Sequence, residues 1–309
     1  MSNQTSSYSP HRTSTTEQIQ IRGDVSYRLR RWRPPENEAL GAPPLLLLHG
    51  WMDVGASFQR CVDQLAACRE IIALDWRGFG GSRTSGHQDG YWFYDYYADL
   101  DAVIDYLSPG APIDLLGHSM GGNIAMVYAG TCPERISRLI NVEGFGLART
   151  QPSEAPARLA RWLSQLKDPV SIRSFATLEE VIEKLIRRSP HMEEGFAAWL
   201  ARQWTERKDD GRWHVIADAA HKRVNPILYR NDEILAAWAA INAPILLVEG
   251  DQAAQNLWKD DRDAQDFEAR LRVLKSLDRL KISNCGHMVH LDQPGALAQA
   301  VERFLSKES

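Results

Sequence analysis

Continuous aliphatic runs alternate with helical patterns over the first half of the chain. The runs predict strands at Ile19–Ile21, Val25–Trp32, Pro44–His49, Ile71–Asp75, Ile113–Gly117 and Arg138–Val142. Between them, apolar residues recur at helical spacing in Ser57–Ala67, Tyr96–Leu107 and Met120–Thr131. Strands that are apolar at nearly every position are typical of a sheet buried on both faces. We therefore expect a mostly parallel sheet covered by helices.

The alternation of strands and helices stops between Ala148 and Ile241. This interval holds five of the ten tryptophans and shows helical spacing, with no convincing buried strand. Beyond it, the predicted elements are strands at Pro244–Glu249 and Arg279–Ser283 and helices at about 263–276 and 294–306. The pattern predicts an α/β fold with an eight-stranded sheet and a helical cap inserted after the sixth strand. Residues 19–147 and 242–309 would form the core, and residues 148–241 the cap.

The first eighteen residues are rich in Ser, Thr and Gln and hold almost no apolar side chain. A segment of this composition buries too little apolar surface to offset the entropy lost on ordering. It also lacks the basic start and the apolar middle of a secretory signal. Residues 1–18 are therefore expected to form a flexible tail.

Composition narrows the classes of function. Of the 309 residues, 36 are basic and 40 are acidic, and the formal net charge is −4. Proteins that bind nucleic acids usually carry a basic surplus instead. The longest aliphatic run, Leu45–Leu48, is far shorter than the ~20 residues of a membrane-spanning helix. We expect neither a nucleic-acid partner nor a membrane span, and the sequence does not indicate an oligomeric state.

The four cysteines are few and irregularly spaced: Cys61, Cys68, Cys132 and Cys285. Their spacing matches neither a disulfide framework nor a zinc site. This pattern favours reduced thiols in a cytoplasmic protein that uses no metal and no other cofactor.

The strongest chemical signal is the segment Ile113–Gly122, which contains a predicted strand, then Gly-His-Ser-Met-Gly, then the start of a helix. A Gly-x-Ser-x-Gly sequence on a tight strand-to-helix turn exposes the serine hydroxyl at the edge of a sheet, because the glycines let neighbouring segments approach. The N-terminus of the following helix points at the reacting centre and stabilises developing negative charge. Ser119 is the predicted nucleophile.

A serine hydroxyl needs a general base to act as a nucleophile. Among nine histidines, His287 comes directly after the last predicted strand, at the same edge of the sheet as Ser119. We therefore predict that His287 is the base. His290, three residues later, is expected to be its structural neighbour.

Negative charge on the reacting oxygen requires backbone amides that are already in position. The amide of Met120, the residue after the nucleophile, is one predicted donor. The amide of Trp51, in the loop after the Pro44–His49 strand, is the other, and that of Met52 is the alternative. The predicted substrate contacts are the residues around these donors, namely His49, Gly50, Met52 and His118.

Four segments, in this order along the chain, resemble the α/β-hydrolase fold family: His49-Gly50, Asp75–Ser82, Gly117–Gly122 and Gly286-His287. The resemblance spans about residues 19–306. The segment from His49 to Asp53 is similar to the serine-hydrolase-like, esterase and lipase branch. The resemblance implies a Ser–acid–His triad, a mostly parallel sheet and a helical cap.

The acid of this triad is where the chain departs from the family pattern. The usual acid stands nine residues after the proline that opens the strand following the cap, and here that position is Ala253. Asp251, two residues earlier, is one candidate. Glu143, directly after the Arg138–Val142 strand, is the other and is preferred, since relatives such as haloalkane dehalogenases carry their acid at this place. A buried carboxylate there would be costly if it had no partner.

Together these residues predict a metal-independent, cofactor-free serine hydrolase that cleaves a carboxylic ester of a small or medium apolar substrate. The same triad serves thioesters, lactones, amides and carbon–carbon bonds, and some relatives carry out perhydrolysis. The fold also hosts ligand receptors whose triad is vestigial or slow. The alanine at position 253 favours that last alternative.

Overall fold

The structure, a computed structural model, describes residues 7–23, 25–35, 41–253 and 261–307, and their side chains except those of 261–264. In chain order the strands are β1 (Thr15–Ile21), β2 (Val25–Trp32), β3 (Leu45–Leu48), β4 (Ile71–Leu74), β5 (Arg83–Thr84), β6 (Ile113–His118), β7 (Ile136–Val142), β8 (Ser174–Phe175), β9 (Thr205–Arg207), β10 (Trp213–Val215), β11 (Ile245–Gly250) and β12 (Leu277–Ile282). The helices are α1 (Gln59–Val62), α2 (Phe93–Leu107), α3 (Met120–Thr131), α4 (Ala155–Lys167), α5 (Leu178–Arg188), α6 (Glu194–Trp204), α7 (Asn231–Ala240), α8 (Asp261–Leu271), α9 (Val289–Asp292) and α10 (Pro294–Leu305).

One large sheet organises the molecule. Its order is β1-β2-β4-β3-β6-β7-β11-β12, with the two-residue β5 added beside β2. Along this order, neighbouring strands from β4 to β12 pair in parallel, whereas β2 pairs antiparallel with β1, β4 and β5. The prediction of a mostly parallel sheet whose main path has eight strands is confirmed. The long insertion between β7 and β11 follows the sixth strand of that path.

Both faces of this sheet are covered, which explains why its central strands are apolar throughout. All four residues of β3 and all four of β4 are buried. On one face, side chains of α2, α3 and α7, such as Leu100, Ile124 and Trp238, form a core. On the other face, α1 and α10 supply Val62 and Phe304. If polar and apolar positions alternated along these strands, the polar side chains would lie inside one of the two apolar layers.

The segment between β7 and β11 contains helices α4–α7 and a small antiparallel sheet ordered β8-β10-β9. Its apolar side chains, including Phe196 and Trp204, pack with Val54 and Met288 of the large-sheet region. The sequence indicated the helices but not the three strands. Strands of two or three residues are too short to show a period of two. The division into core and cap by residue number stays a prediction.

The expectation of a flexible tail over residues 1–18 is wrong for residues 7–18. Strand β1 begins at Thr15, and the backbone amides of His11 and Arg12 donate to Oδ1 of Asp63 at 3.1 and 3.0 Å. The ring of Tyr8 packs edge-on against Phe196, with centroids 4.9 Å apart. Polar composition was a poor guide here, because hydrogen bonds to one partly buried carboxylate and one aromatic contact hold this segment in place. The part of the prediction that concerns residues 1–6 lies outside the described residues.

None of the helices in the described ranges combines the length and the apolar character that crossing a bilayer requires.

A buried ion pair holds the loop after β4 against α2. Asp99 accepts hydrogen bonds from Nε and NH2 of Arg77 at 2.5 and 2.6 Å and from the hydroxyl of Tyr27 at 2.8 Å. The neighbouring Trp76 donates its backbone N–H to Nε2 of His49 at 2.9 Å. The ion pair therefore supports the loop that follows β3, which lies next to Ser119.

Asp99→Asn is expected to lower the free energy of unfolding by about 3–5 kcal/mol, because the buried guanidinium of Arg77 would lose its fully buried counter-charge. Urea unfolding followed by tryptophan fluorescence measures the change. Asp95→Asn is the matched control, since Asp95 lies 3.3 Å from the same guanidinium but is partly exposed, and its loss should stay below about 1 kcal/mol. Equal losses in the two variants would contradict the conclusion that Asp99 is the main counter-charge of Arg77.

Candidate active site

Neighbouring parallel strands end level with one another at one edge of the sheet. His118, the last residue of β6, pairs with Val142, the last residue of β7, and Val142 pairs with Val248 of β11. The ladder continues one step further, because the amide of Ser119 donates to the carbonyl of Val142 at 2.8 Å and that of Glu143 to the carbonyl of Val248 at 3.0 Å. Ser119 and Glu143 thus leave adjacent strands side by side.

The turn at Ser119 has the strained geometry that the sequence predicted. Ser119 has φ 52° and ψ −114° and directly precedes α3. A Cβ on Gly117 would lie 2.5 Å from the carbonyl oxygen of Gly121, and a Cβ on Gly121 would lie 2.2 Å from that of Leu48. Both positions therefore require glycine, and the close packing holds the serine on the rim of the sheet.

The side chains of Ser119, His287 and Glu143 form one hydrogen-bonded line. Nε2 of His287 lies 2.9 Å from the hydroxyl oxygen of Ser119, and Nδ1 lies 3.1 Å from Oε2 of Glu143. An ionised carboxylate only accepts hydrogen bonds, so Nδ1 carries the proton and Nε2 accepts from the serine. The imidazole is 35% exposed, whereas the Glu143 side chain is 0% exposed. The line thus runs from the buried carboxylate out to the reactive hydroxyl.

Both carboxylate oxygens of Glu143 have a hydrogen-bond partner. The backbone N–H of Gly250, at the end of β11, donates to Oε1 at 2.6 Å, while Oε2 faces His287. Glu143 itself has φ 58°, so its backbone, like that of Ser119, lies in the left-handed region. Burial raises its pKa above the ordinary value, and the hydrogen bonds from His287 and Gly250 oppose that rise.

Of the two candidate acids, the structure pairs Glu143, not Asp251, with the imidazole. Oδ1 of Asp251 accepts instead from the backbone N–H of Cys285 at 3.2 Å. Asp292, which the sequence analysis missed, accepts from the backbone N–H of Gly286 at 3.1 Å. These two carboxylates fix the loop that carries His287. No local pattern distinguishes a carboxylate that binds this loop from one that binds the imidazole.

The two amides predicted to stabilise an oxyanion lie next to Ser119. Met120 is the first residue of α3. A Cβ on Gly50 would come within 3.2 Å of Cβ of Ser119, so the loop that contains Trp51 is packed directly against the serine turn. Within the described ranges, neither of these two amides donates to a protein acceptor. Their role as oxyanion donors stays a prediction.

None of His49, Gly50, Met52 and His118 is among the residues that line the cavity at Ser119, and their contact with substrate stays a prediction. Both histidines are completely buried. His49 accepts from Trp76 on Nε2, so its Nδ1 donates to the carbonyl of Gly50 at 2.7 Å. Burial lowers the pKa of both imidazoles, that of His118 strongly. Both imidazoles are neutral, and they hold the surrounding loops in place through hydrogen bonds.

A cavity of about 280 Å³ opens at Ser119. Its lining includes Trp51, Tyr91, Phe93, Met120, His221 and Asn225. The last two belong to the segment between β7 and β11, so that segment covers the reactive hydroxyl. A second cavity of about 460 Å³ shares Phe93, Leu147 and Asn225 with the first. The two spaces therefore adjoin, and aromatic and aliphatic side chains border both.

His221 is a cavity-wall residue that the sequence analysis missed. Its ring is stacked between Phe79 and Tyr91, 3.8 Å from each centroid and within 16° of parallel. Burial lowers its pKa to about 3, even though the charge of Asp218 acts in the opposite direction. The imidazole is therefore neutral at physiological pH, and since both of its faces are covered, only its edge lines the cavity. Its stacking partners are distant in sequence, so no motif around position 221 could reveal it.

The chain belongs to the α/β-hydrolase fold family, whose model matches residues 43–294. A serine hydrolase-like protein of Danio rerio is 26% identical over 304 residues, which cover 94% of this chain and 86% of the relative. A serine hydrolase-like protein of Dictyostelium discoideum is 23% identical over 307 residues, covering 94% and 81%. The chain is thus similar over most of its length to proteins that are named as serine hydrolase-like.

Solved structures show the same fold. The thioesterase domain from the curacin biosynthetic pathway has a TM-score of 0.80 and 26% identity, over 94% of this chain and 99% of that domain. An esterase from Mycobacterium tuberculosis has a TM-score of 0.67 and 23% identity, over 96% and 92% of the two chains, and supports the fold alone.

Glu143→Gln is expected to lower kcat/KM for a hydrolysed ester by about 10⁴-fold, because an amide neither fixes the Nδ1–H tautomer nor stabilises the imidazolium. Asp251→Asn is the matched control and should cost less than about tenfold, since it alters only the bond to Cys285. Steady-state kinetics on folded protein checks both. A large loss in the control together with near-normal activity of Glu143→Gln would assign the acid to Asp251.

Proposed function

We propose that this protein is a carboxylic-ester hydrolase that works through an acyl-enzyme. The observation that carries the proposal is the hydrogen-bonded line from Glu143 through His287 to Ser119, which ends in a cavity with apolar walls. A serine in hydrogen-bond contact with an oriented imidazole is the arrangement that activates a hydroxyl for acyl transfer.

In the first half-reaction, Nε2 of His287 takes the hydroxyl proton while the oxygen of Ser119 attacks the acyl carbon. The amides of Met120 and Trp51 stabilise the resulting oxyanion, and Glu143 stabilises the imidazolium. The imidazolium then gives its proton to the leaving alcohol as the tetrahedral intermediate collapses. In the second half, His287 takes a proton from water while the water oxygen attacks the acyl carbon. The bond from this carbon to Ser119 breaks, the imidazolium returns the proton to the serine oxygen, and the carboxylic acid leaves.

The two cavities support an apolar substrate with a small group at the reacting carbon. The space at Ser119, about 280 Å³, is at the lower end of the range of ligand pockets. The adjoining 460 Å³ space, bordered by Tyr97, Val127 and Ile234, suits the remaining apolar part. Residues 148–241 act as the cap of this site, since Ala220, His221 and Asn225 line it.

A thioester is the second candidate substrate, favoured by the similarity to the curacin thioesterase domain, at 26% identity over 94% of this chain. The same attack by Ser119 would release a thiol instead of an alcohol. An oxyester and a thioester that share one acyl group and differ by one atom distinguish the two candidates by their kcat/KM.

The predicted cytoplasmic location is a further proposal, and its support is that all four cysteines are unpaired.

Ser119→Ala is expected to abolish labelling by a fluorophosphonate probe and to lower kcat for ester hydrolysis by about 10⁶-fold, because the nucleophile is removed. Mass spectrometry of the labelled peptide and a p-nitrophenyl ester assay measure the two effects. Ser153→Ala, at an exposed serine outside the site, is the control and should keep both. If the unaltered protein binds apolar ligands but neither labels nor turns over esters, the receptor alternative holds instead.

Ile227→Trp is expected to lower kcat/KM for a decanoyl ester by at least about tenfold and to change that for an acetyl ester less than twofold. Ile227 is exposed and lines the larger cavity, so the indole would fill space that only a long substrate needs. Leu163→Trp, at an equally exposed leucine outside both cavities, is the control. Identical changes for the two esters would show that the larger cavity does not hold substrate.

A further inference from the structure

Three buried side chains meet behind the Ser119 turn, and the proposed hydrolysis uses none of them. Asp53 follows β3, His118 ends β6, and His290 lies in α9. Their exposed fractions are 3%, 0% and 0%. Because buried polar atoms are costly without partners, a group of this kind requires a physical explanation.

The donor atoms of these side chains converge. One ligand atom from each residue lies within 4.8 Å of the other two, and Oδ2 of Asp53 is 3.5 Å from Nε2 of His290. Among the described residues, Nδ1 of His118 and Nδ1 of His290 have no hydrogen-bond partner, and Oδ2 of Asp53 and Nε2 of His290 have only this long contact with each other. The rings of His118 and His290 are 4.5 Å apart.

The tautomer of His118 leaves a free lone pair on its buried Nδ1. Its Nε2 lies 2.8 Å from the carbonyl oxygen of His287, which can only accept, so the proton is on Nε2. Nδ1 is then an unprotonated donor for a cation. Metal-binding histidines generally show this pattern, with the second ring nitrogen donating to a carbonyl or a carboxylate.

We propose that Asp53, His118 and His290 form a buried binding site for one divalent transition-metal ion of the zinc or cobalt type. Two imidazoles and one carboxylate suit these metals better than magnesium or calcium, which prefer oxygen ligands alone. A separation of 3.5 Å between two ligand atoms matches an edge of a tetrahedron with metal–ligand bonds of about 2.0–2.1 Å. The site adds to the proposed hydrolysis and takes no part in its chemical steps.

The position of the site gives the metal a structural role. Asp53 is two residues from Trp51, His118 immediately precedes Ser119, and His290 is three residues from His287. One ion would therefore join the loop of the proposed oxyanion donor, the nucleophile turn and the loop of the base. The sequence analysis expected no metal because it examined local spacing, whereas these ligands come from three separate segments.

The experiment measures metal content directly. Full-length protein is treated with a chelator, refolded with Zn²⁺ or Co²⁺ so that the buried site can load, dialysed, and analysed for metal per chain. We expect one ion per chain for the unaltered protein. We expect at least tenfold weaker retention in His290→Gln and Asp53→Asn, each of which removes a ligand.

Two controls separate this site from others. His287→Asn should lose ester hydrolysis yet keep the ion, which distinguishes the buried group from metal bound by the triad. His214→Asn removes a partly exposed histidine that faces Asp210, and this variant should also keep the ion. Loss of the ion in His287→Asn, or equal content in His290→Gln and the unaltered protein, would overturn the proposal.

Anomalous diffraction from crystals of the unaltered, Zn²⁺-loaded protein gives a test that does not depend on variants folding. The expected result is one anomalous peak about 2.0–2.2 Å from Oδ2 of Asp53, Nδ1 of His118 and a ring nitrogen of His290. A water molecule donating to the carboxylate and to Nδ1, with no anomalous signal, would refute the site even if ester hydrolysis is normal.

Discussion

The parallel register of β6, β7 and β11 is the constraint on which the site depends. Since β6 and β7 end level, the residues that follow them are neighbours. Strand β11 continues two residues further, so that the amide of Gly250 at its end reaches the carboxylate of Glu143. A shift of one residue in β7 would turn the Glu143 side chain to the opposite face of the sheet. The left-handed backbone at Ser119 and Glu143 is strain that this packed ladder maintains.

Much of this arrangement could be predicted because its signals are local. Buried strands show as continuous aliphatic runs, and the turn at Ser119 shows as glycines at fixed offsets whose missing side chains the packing requires. His287 could be predicted because the end of a parallel strand identifies the edge of the sheet on which its loop lies. The fold and two members of the hydrogen-bonded line were therefore accessible from one sequence.

The remaining features depend on contacts between distant segments. Glu143 and Asp251 both leave strands at the same edge, and only the reach of each side chain decides which one meets the imidazole. His118 sits inside the motif, yet its ring points away from the cavity and into the interior. The anchoring of Tyr8 against Phe196 involves a contact that local polarity does not reveal.

The complete burial of Glu143 has a consequence for the medium in which the protein works. Dissolved counterions cannot approach a carboxylate that has no exposed surface, so its attraction for the imidazolium is screened much less than that of a surface ion pair. The electrostatic stabilisation within the line should therefore persist as ionic strength rises. Exposed pairs such as Arg187 with Glu183 weaken under the same conditions.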